Sequence, residues 1–280
     1  MNVVLFGFTG LGNAVLRGLL KTDNVVVSSV FTKRYSNPYP YYTEIQIEDF
    51  CRKEKITCYS NADVNSENGI NLIREVKPDL IVVASFNQII SKQVMNIPKL
   101  GIVNVHPSLL PKYRGPYPEQ AALLNNEKET GVTVHFLSEK IDGGNILMQK
   151  GIKILADDNY SKLKKKLSDI SEEIIPDVIR LFAGNTSPDG IEQNKSAATF
   201  FQKPKEEDSY LEKNSGIDLI KNKIRALNPF PGTSILVNDK RIFVDEYETI
   251  NRNSKDGVYE SELFIDVYKN SCGIRLFKKK

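Results

Sequence analysis

MNVVLFGFTGLGNAVLRGLLKTDNVVVSSVF, residues 1–31, decides the fold. A short apolar run, Val3 to Phe6, meets a glycine-rich turn, Gly7 to Gly12; a helix is expected from near Leu11, and a second strand from Val25 to Phe31. Strand, turn, helix, strand is a βαβ unit, the building block of a parallel sheet covered on both faces. The pattern recurs downstream. Further strands are expected at Ile56 to Tyr59, Leu80 to Ala84 and Ile102 to His106, with helices beginning near Glu48, Glu67, Ser91 and Pro118. Gly131 to Phe136 and Ile146 to Ile154 read as two more strands. The fold class is therefore α/β, with a mainly parallel sheet.

The chain has 280 residues, more than the ~150 of a typical single domain, so one larger domain with a smaller appendage is expected. From Tyr160, apolar residues recur at Leu163, Leu167, Ile170, Ile174 and Val178, the spacing of an amphipathic helix, with Pro176 as a kink point. Lys162, Lys164, Lys165 and Lys166 read as its solvated face. Gly184 to Ser209 is polar and carries Pro188, Gly190 and Pro204, the composition of a linker. A short helix near Ile217 to Leu227 then precedes strands at Thr233 to Val237, Arg241 to Tyr247, Leu263 to Val267 and Gly273 to Phe277. The expected domains are 1–183, a linker at 184–209, and a small helix plus β-rich domain at 210–280.

Lys and Arg number 38 against 35 Asp and Glu, a net charge of +3, which gives no electrostatic case for nucleic-acid binding. Cys51, Cys58 and Cys272 form no CxxC pair and stand beside only two histidines. Neither a zinc cage nor a disulfide framework is expected. The start lacks the pattern of a secretory leader, and no apolar run approaches the ~18 residues of a membrane span. A reducing cytoplasm is the expected setting.

The turn GFTGLG stands where backbone amides and a helix N-terminus can receive a phosphate. Its spacing is not GxGxxG, however, and the second strand runs into Thr32, Lys33 and Arg34 where a ribose-binding carboxylate would be wanted. That disfavours NAD and leaves a tight structural turn or a contact to another phosphate or sugar. In NVHPSLLPKYRG, residues 104–115, His106 sits at the carboxyl end of a strand, where open α/β sheets place ligands. Asn104 shares its face, because side chains repeat at every second position.

An amide donor and an imidazole can hold a developing oxyanion, and a carboxylate such as Asp142 in IDGGNIL can orient the imidazole or relay a proton. Asp142 could equally be only a turn former before Gly143 and Gly144. His135, in VTVHFL, reads as a packed or hydrogen-bonded structural histidine. Tyr35, Tyr39, Tyr41 and Tyr42 crowd RYSNPYPYY, which either stacks on a planar ligand or is a surface loop with incidental tyrosines.

NVHPSLLPKYRG, ETGVTVHFLSEKIDGGNIL and RALNPFPG together resemble the formyltransferases that use 10-formyltetrahydrofolate. The resemblance implies a Rossmann-like catalytic domain, that folate as cosubstrate, and no metal. It implies that Asn104 and His106 hold the tetrahedral oxyanion, while Asp142 keeps His106 charged and helps to move protons. One wall of the folate pocket is carried over to Phe86, Asn87, Gln88, Ile89 and Ile90, and the other to Ser138, Glu139, Lys140, Ile141 and Asp142. Gly10, Tyr39, Tyr41 and Arg114 are the candidates for contacting the acceptor.

Members of that family formylate methionyl-tRNA, glycinamide ribonucleotide or a nucleotide-linked amino sugar. The segments FFQKPKEEDSYL and RALNPFPG and the β-rich tail resemble the tRNA and sugar enzymes. RYSNPYPYY is not the strongly basic insertion expected to grip an acceptor stem, and the part after NPFPG is shorter than the barrel-like domain of typical tRNA enzymes. An amino-sugar N-formyltransferase is therefore the expectation, with methionyl-tRNA formylation as the alternative. A formyltetrahydrofolate hydrolase, which usually carries a regulatory domain ahead of the catalytic one, and a non-catalytic folate or nucleotide module are disfavoured. The expected partner is a small nucleotide-sugar, not nucleic acid or membrane, and the exposed edges of a β-rich tail would suit a homodimer.

Overall fold

The computed structural model describes residues 1–35, 45–212, 214–250, 255–269 and 272–279. The chain divides into two compact units, 1–115, 130–152 and 164–200 in the first, and 116–129, 153–163 and 201–280 in the second. Residues 184–200, which read as linker, thus group with the first unit, and 116–129 with the second.

In chain order the elements are β1 (Asn2–Gly7), α1 (Leu11–Leu20), β2 (Val26–Thr32), α2 (Ile47–Lys53), β3 (Thr57–Ser60), α3 (Glu67–Val76), β4 (Leu80–Ala84), α4 (Lys92–Met95), β5 (Ile102–His106), α5 (Pro118–Leu124), β6 (Glu129–Phe136), β7 (Ile146–Lys153) and α6 (Tyr160–Arg180). There follow β8 (Tyr210–Leu211), α7 (Ile217–Leu227), β9 (Thr233–Val237), β10 (Lys240–Ile250), β11 (Gly257–Glu260), β12 (Phe264–Lys269) and β13 (Cys272–Lys278). Helix α6 runs through Pro176 without ending there. The strands β8 and β11 lay outside the sequence reading; β8 is only two residues long.

The first unit is built on a seven-stranded sheet in the order β3-β2-β1-β4-β5-β6-β7. Strands β3, β2, β1, β4 and β5 pair in parallel, and β6 joins β5 antiparallel. All five residues of β4 are buried, as a central parallel strand covered on both faces requires. Val4, Phe6, Phe31, Ile73, Ile81 and Val83 form the core against one face.

Sheet order reverses between β1 and β4, and the chain leaves β1 through the turn Gly7 to Gly12. A Cβ on Gly12 would stand 3.1 Å from the Gly7 carbonyl carbon, and Gly10 has φ of 90°. Both positions need glycine for close approach and a left-handed backbone. The second unit holds a six-stranded sheet, β11-β12-β13-β10-β9-β8, with Ile220 and Ile224 of α7 packed into its core.

Candidate active site

Strand β5 carries Asn104 and His106 on one face and delivers His106, 5% exposed, at its carboxyl end. Pro107 turns the chain, which then folds back on itself. Ser108 Oγ donates to the Lys112 carbonyl at 2.7 Å, and the buried Thr133 of β6 ties down both the Ser108 carbonyl (2.6 Å) and the Leu110 N–H (3.1 Å). This return brings the Tyr113 carbonyl within 2.9 Å of His106 Nε2.

The loop between β6 and β7 supplies the carboxylate. Asp142 adopts φ of 46°, a left-handed conformation that Asp tolerates better than most residues. Its Oδ2 accepts the Gly115 N–H at 2.8 Å and lies 3.7 Å from His106 Nδ1. Its Oδ1 accepts from Asn104 Nδ2 at 3.2 Å. The three residues singled out from sequence are thus brought into one cluster.

Burial pushes the Asp142 carboxyl up, but His106, His135 and the Gly115 N–H together outweigh it and hold the group well below the usual carboxylate range. Asp142 is therefore a carboxylate at every physiological pH. His106 faces an oxygen from each ring nitrogen, the Tyr113 carbonyl from Nε2 and the Asp142 carboxylate from Nδ1. A neutral imidazole has a single N–H, so this setting suits the doubly protonated ring. The cluster combines an imidazole, a carboxylate that favours its charged form, and a part-buried amide, which is the equipment for stabilising an oxyanion and moving a proton.

Two further residues complete the cluster. His135, wholly buried on β6, stands opposite Asn104 in the sheet register. Its Nε2 lies 3.2 Å from Asn104 Nδ2 and 3.6 Å from Asp142 Oδ1, so this structural histidine is part of the cluster. Gln193, only 4% exposed, comes from the polar segment that read as linker. Its amide donates to the Asp142 carbonyl (2.8 Å) and the Gly144 carbonyl (2.7 Å), while its oxygen accepts twice from Arg114, at 3.2 and 2.7 Å. One buried side chain thereby fixes both the Asp142 turn and the Arg114 guanidinium. Gly144 is required by close approach, since a Cβ there would sit 1.9 Å from the Phe136 carbonyl oxygen.

Arg114, a candidate acceptor contact, is buried, bonded to Gln193 and stacked 5.8 Å from the Phe200 ring centroid. Gly10 lies in the turn that begins α1. Tyr39 and Tyr41 lie outside the described residues.

The candidate folate walls are two loops of the first unit. In the first, Phe86 packs on Phe6 at 5.2 Å and Phe8 at 5.7 Å between ring centroids. Gln88 uses its side chain on the Val64 N–H and the Ala62 carbonyl, and Asn65 donates to the Ile89 carbonyl. These bonds hold the backbone of the loop and leave Ile89 91% exposed; Asn87 and Ile90 lie in the same loop. In the second wall Ser138 Oγ donates to the Lys140 carbonyl, and Ile141 is 67% exposed. An exposed ion pair at 2.7 Å joins Lys92, at the start of α4, to Glu139 of the second wall.

The formyl transferase family model matches residues 3–179. Methionyl-tRNA formyltransferase of Staphylococcus epidermidis is 31% identical over 240 residues, covering 86% of this chain and 77% of that protein. Among solved structures, an N-formyltransferase from Helicobacter canadensis in complex with folinic acid and dTDP-3-aminofucose superposes with a TM-score of 0.72 at 21% identity, covering 99% of each chain. WlaRD, a sugar 3N-formyl transferase in the presence of dTDP and 5-N-formyl-THF, gives 0.71 at 21% identity, covering 99% of this chain and 97% of that one. The chain belongs to the formyl transferase family and is an enzyme of formyl-group transfer.

Proposed function

We propose that this enzyme moves the formyl group of 10-formyltetrahydrofolate to the amino group of a nucleotide-linked amino sugar, with Asn104, His106 and Asp142 as its catalytic residues. The acceptor nitrogen attacks the formyl carbon, the bond from that carbon to the folate nitrogen breaks, and one proton passes from the attacking nitrogen to the departing one. Asn104 and the charged His106 face the oxyanion, and Asp142 balances His106 and relays the proton. The observation that carries this reading is the closed cluster in which one part-buried carboxylate holds the amide of Asn104 and faces the ring of His106. The exposed Ile89 and Ile141 supply apolar contact for a folate ring.

The acceptor reading rests on charge. Gripping a tRNA stem requires cations free to meet phosphates. Lys33 and Arg34 are the basic residues of the segment that runs from β2 into RYSNPYPYY, and Arg34 is already bonded to Glu48 at 2.6 Å with Asp49 at 3.8 Å. Similarity to the Staphylococcus epidermidis enzyme favours methionyl-tRNA as the second reading. Incubating the protein with 10-formyltetrahydrofolate and a panel of nucleotide amino sugars, glycinamide ribonucleotide and methionyl-tRNA separates them. Formylation of an amino sugar is expected, and formylation of the tRNA alone would overturn the acceptor assignment. The sheet edges β8 and β11 leave the second unit open to pairing as a homodimer, which light scattering measures directly.

A further inference from the structure

His135 has a hydrogen-bonding problem whose solution bears on Asn104. Its Nδ1 lies 2.8 Å from the Phe136 carbonyl oxygen. A carbonyl only accepts, so Nδ1 carries a hydrogen whether the ring is neutral or charged. The neutral ring therefore presents a bare Nε2 to Asn104 Nδ2 at 3.2 Å. The same amide nitrogen reaches Asp142 Oδ1, also at 3.2 Å. An amide nitrogen has two hydrogens. With His135 neutral both are committed, one to the imidazole and one to the carboxylate. Turning the amide over offers no escape, because its oxygen would then face two acceptors. In this state Asn104 has no N–H left for a reacting oxygen.

Adding a proton to His135 changes the count. Nε2–H then has an acceptor of its own in Asp142 Oδ1, 3.6 Å away and a few tenths of an ångström beyond hydrogen-bond reach. Asn104 loses its imidazole acceptor, and one amide N–H is set free. We propose that His135 is a proton-dependent positioning residue, which holds an Asn104 N–H when neutral and releases it for the formyl oxygen when protonated. This rests on the formyl-transfer reading.

The groups facing His135 set the balance. Asp142, from the loop after β6, favours the proton. His106, from β5, opposes it when charged, with its ring centroid 6.4 Å away. Arg114 also opposes it, its guanidinium bonded to the Gln193 side chain that holds the Asp142 loop. Both imidazoles face the same carboxylate, His106 at 3.7 Å and His135 at 3.6 Å.

The chain has only two histidines, so nitrogen-15 NMR of the histidine rings and of the Asn104 side-chain amide, followed across pH without folate or acceptor, reads the device directly. Neutral His135 is expected as the Nδ1–H tautomer, with the Asn104 amide signals shifting at the His135 midpoint. His135→Gln is expected to abolish that shift and to remove the matching limb of the pH–rate profile, whereas a purely structural role lowers stability and leaves the profile's shape intact. An Nε2–H tautomer, an Asn104 amide indifferent to His135, or a limb that persists in the variant would each overturn the proposal. Should His135→Gln fail to fold, the wild-type titration, assigned with His106→Gln, decides by itself. The expected tautomer and shift in a protein that transfers no formyl group would uphold the hydrogen-bond switch and refute the functional reading instead.

Discussion

Replacing Asp142 by Asn keeps the shape of the side chain and removes its charge. At the 3.7 Å between His106 Nδ1 and Asp142 Oδ2, unit charges at an effective dielectric of ~20 attract by about 4 kcal/mol. Asp142→Asn also sets an amide N–H₂ against the Asn104 amide or the Gly115 N–H, both of which donate to the native carboxylate. If half to all of the electrostatic attraction is lost in the transition state, turnover falls by ~30-fold to ~1,000-fold. The assay is kcat at saturating 10-formyltetrahydrofolate and acceptor, with folate affinity measured separately by fluorescence quenching.

The substitution also has a stability signature. The carboxyl of Asp142 is held below its ordinary value, so its contribution is fully present above the unfolded-state aspartate pKa of ~3.9 and is lost as pH falls from there. The variant should therefore show a flatter loss of stability below about pH 4. A variant with turnover within about threefold of wild type would refute the role given to the carboxylate.

Gln193→Ala should cut kcat by ~10-fold or more and cost about 2–3 kcal/mol in urea unfolding, because it strands the Arg114 guanidinium and two loop carbonyls in a buried setting. Gly144→Ala cannot be accommodated against the Phe136 carbonyl, so the Asp142 loop must move. Activity should fall by ~100-fold, with the altered loop visible as faster amide exchange at Gly143. Glu172 of α6 meets Arg17 of α1 at 2.6 Å and Lys21, just past the end of α1, at 2.5 Å. Glu172→Gln should cost about 1 kcal/mol at low salt, since the Lys21 arm is exposed, and the difference should shrink in concentrated salt.

Local pattern revealed much of this. β-branched runs separated by turns and helical spacing locate the strands of the parallel sheet, and the strand-end position of His106 marks the candidate site. The partnerships that the sequence does not reveal have a common cause. Gln193 acts on Asp142 and Arg114 from far along the chain, inside a polar segment whose composition matches any surface linker, and no local signal distinguishes it. His135 read as a structural histidine because its partnership with Asn104 exists only through the antiparallel register of β5 and β6. Neither periodicity nor spacing carries register between strands separated by a long connection. The short strand β8 escaped for a simpler reason: two residues are too few to show alternation.

His106 is the residue whose loss tests the catalytic cluster most directly. A single-turnover measurement of formyl transfer from labelled 10-formyltetrahydrofolate, made on wild type and His106→Ala with folate binding monitored in both, isolates its chemical role. The prediction is unchanged folate binding with transfer slowed by at least ~100-fold. Near wild-type transfer by the variant, with folate bound, would contradict the assignment of Asn104, His106 and Asp142 as the catalytic centre.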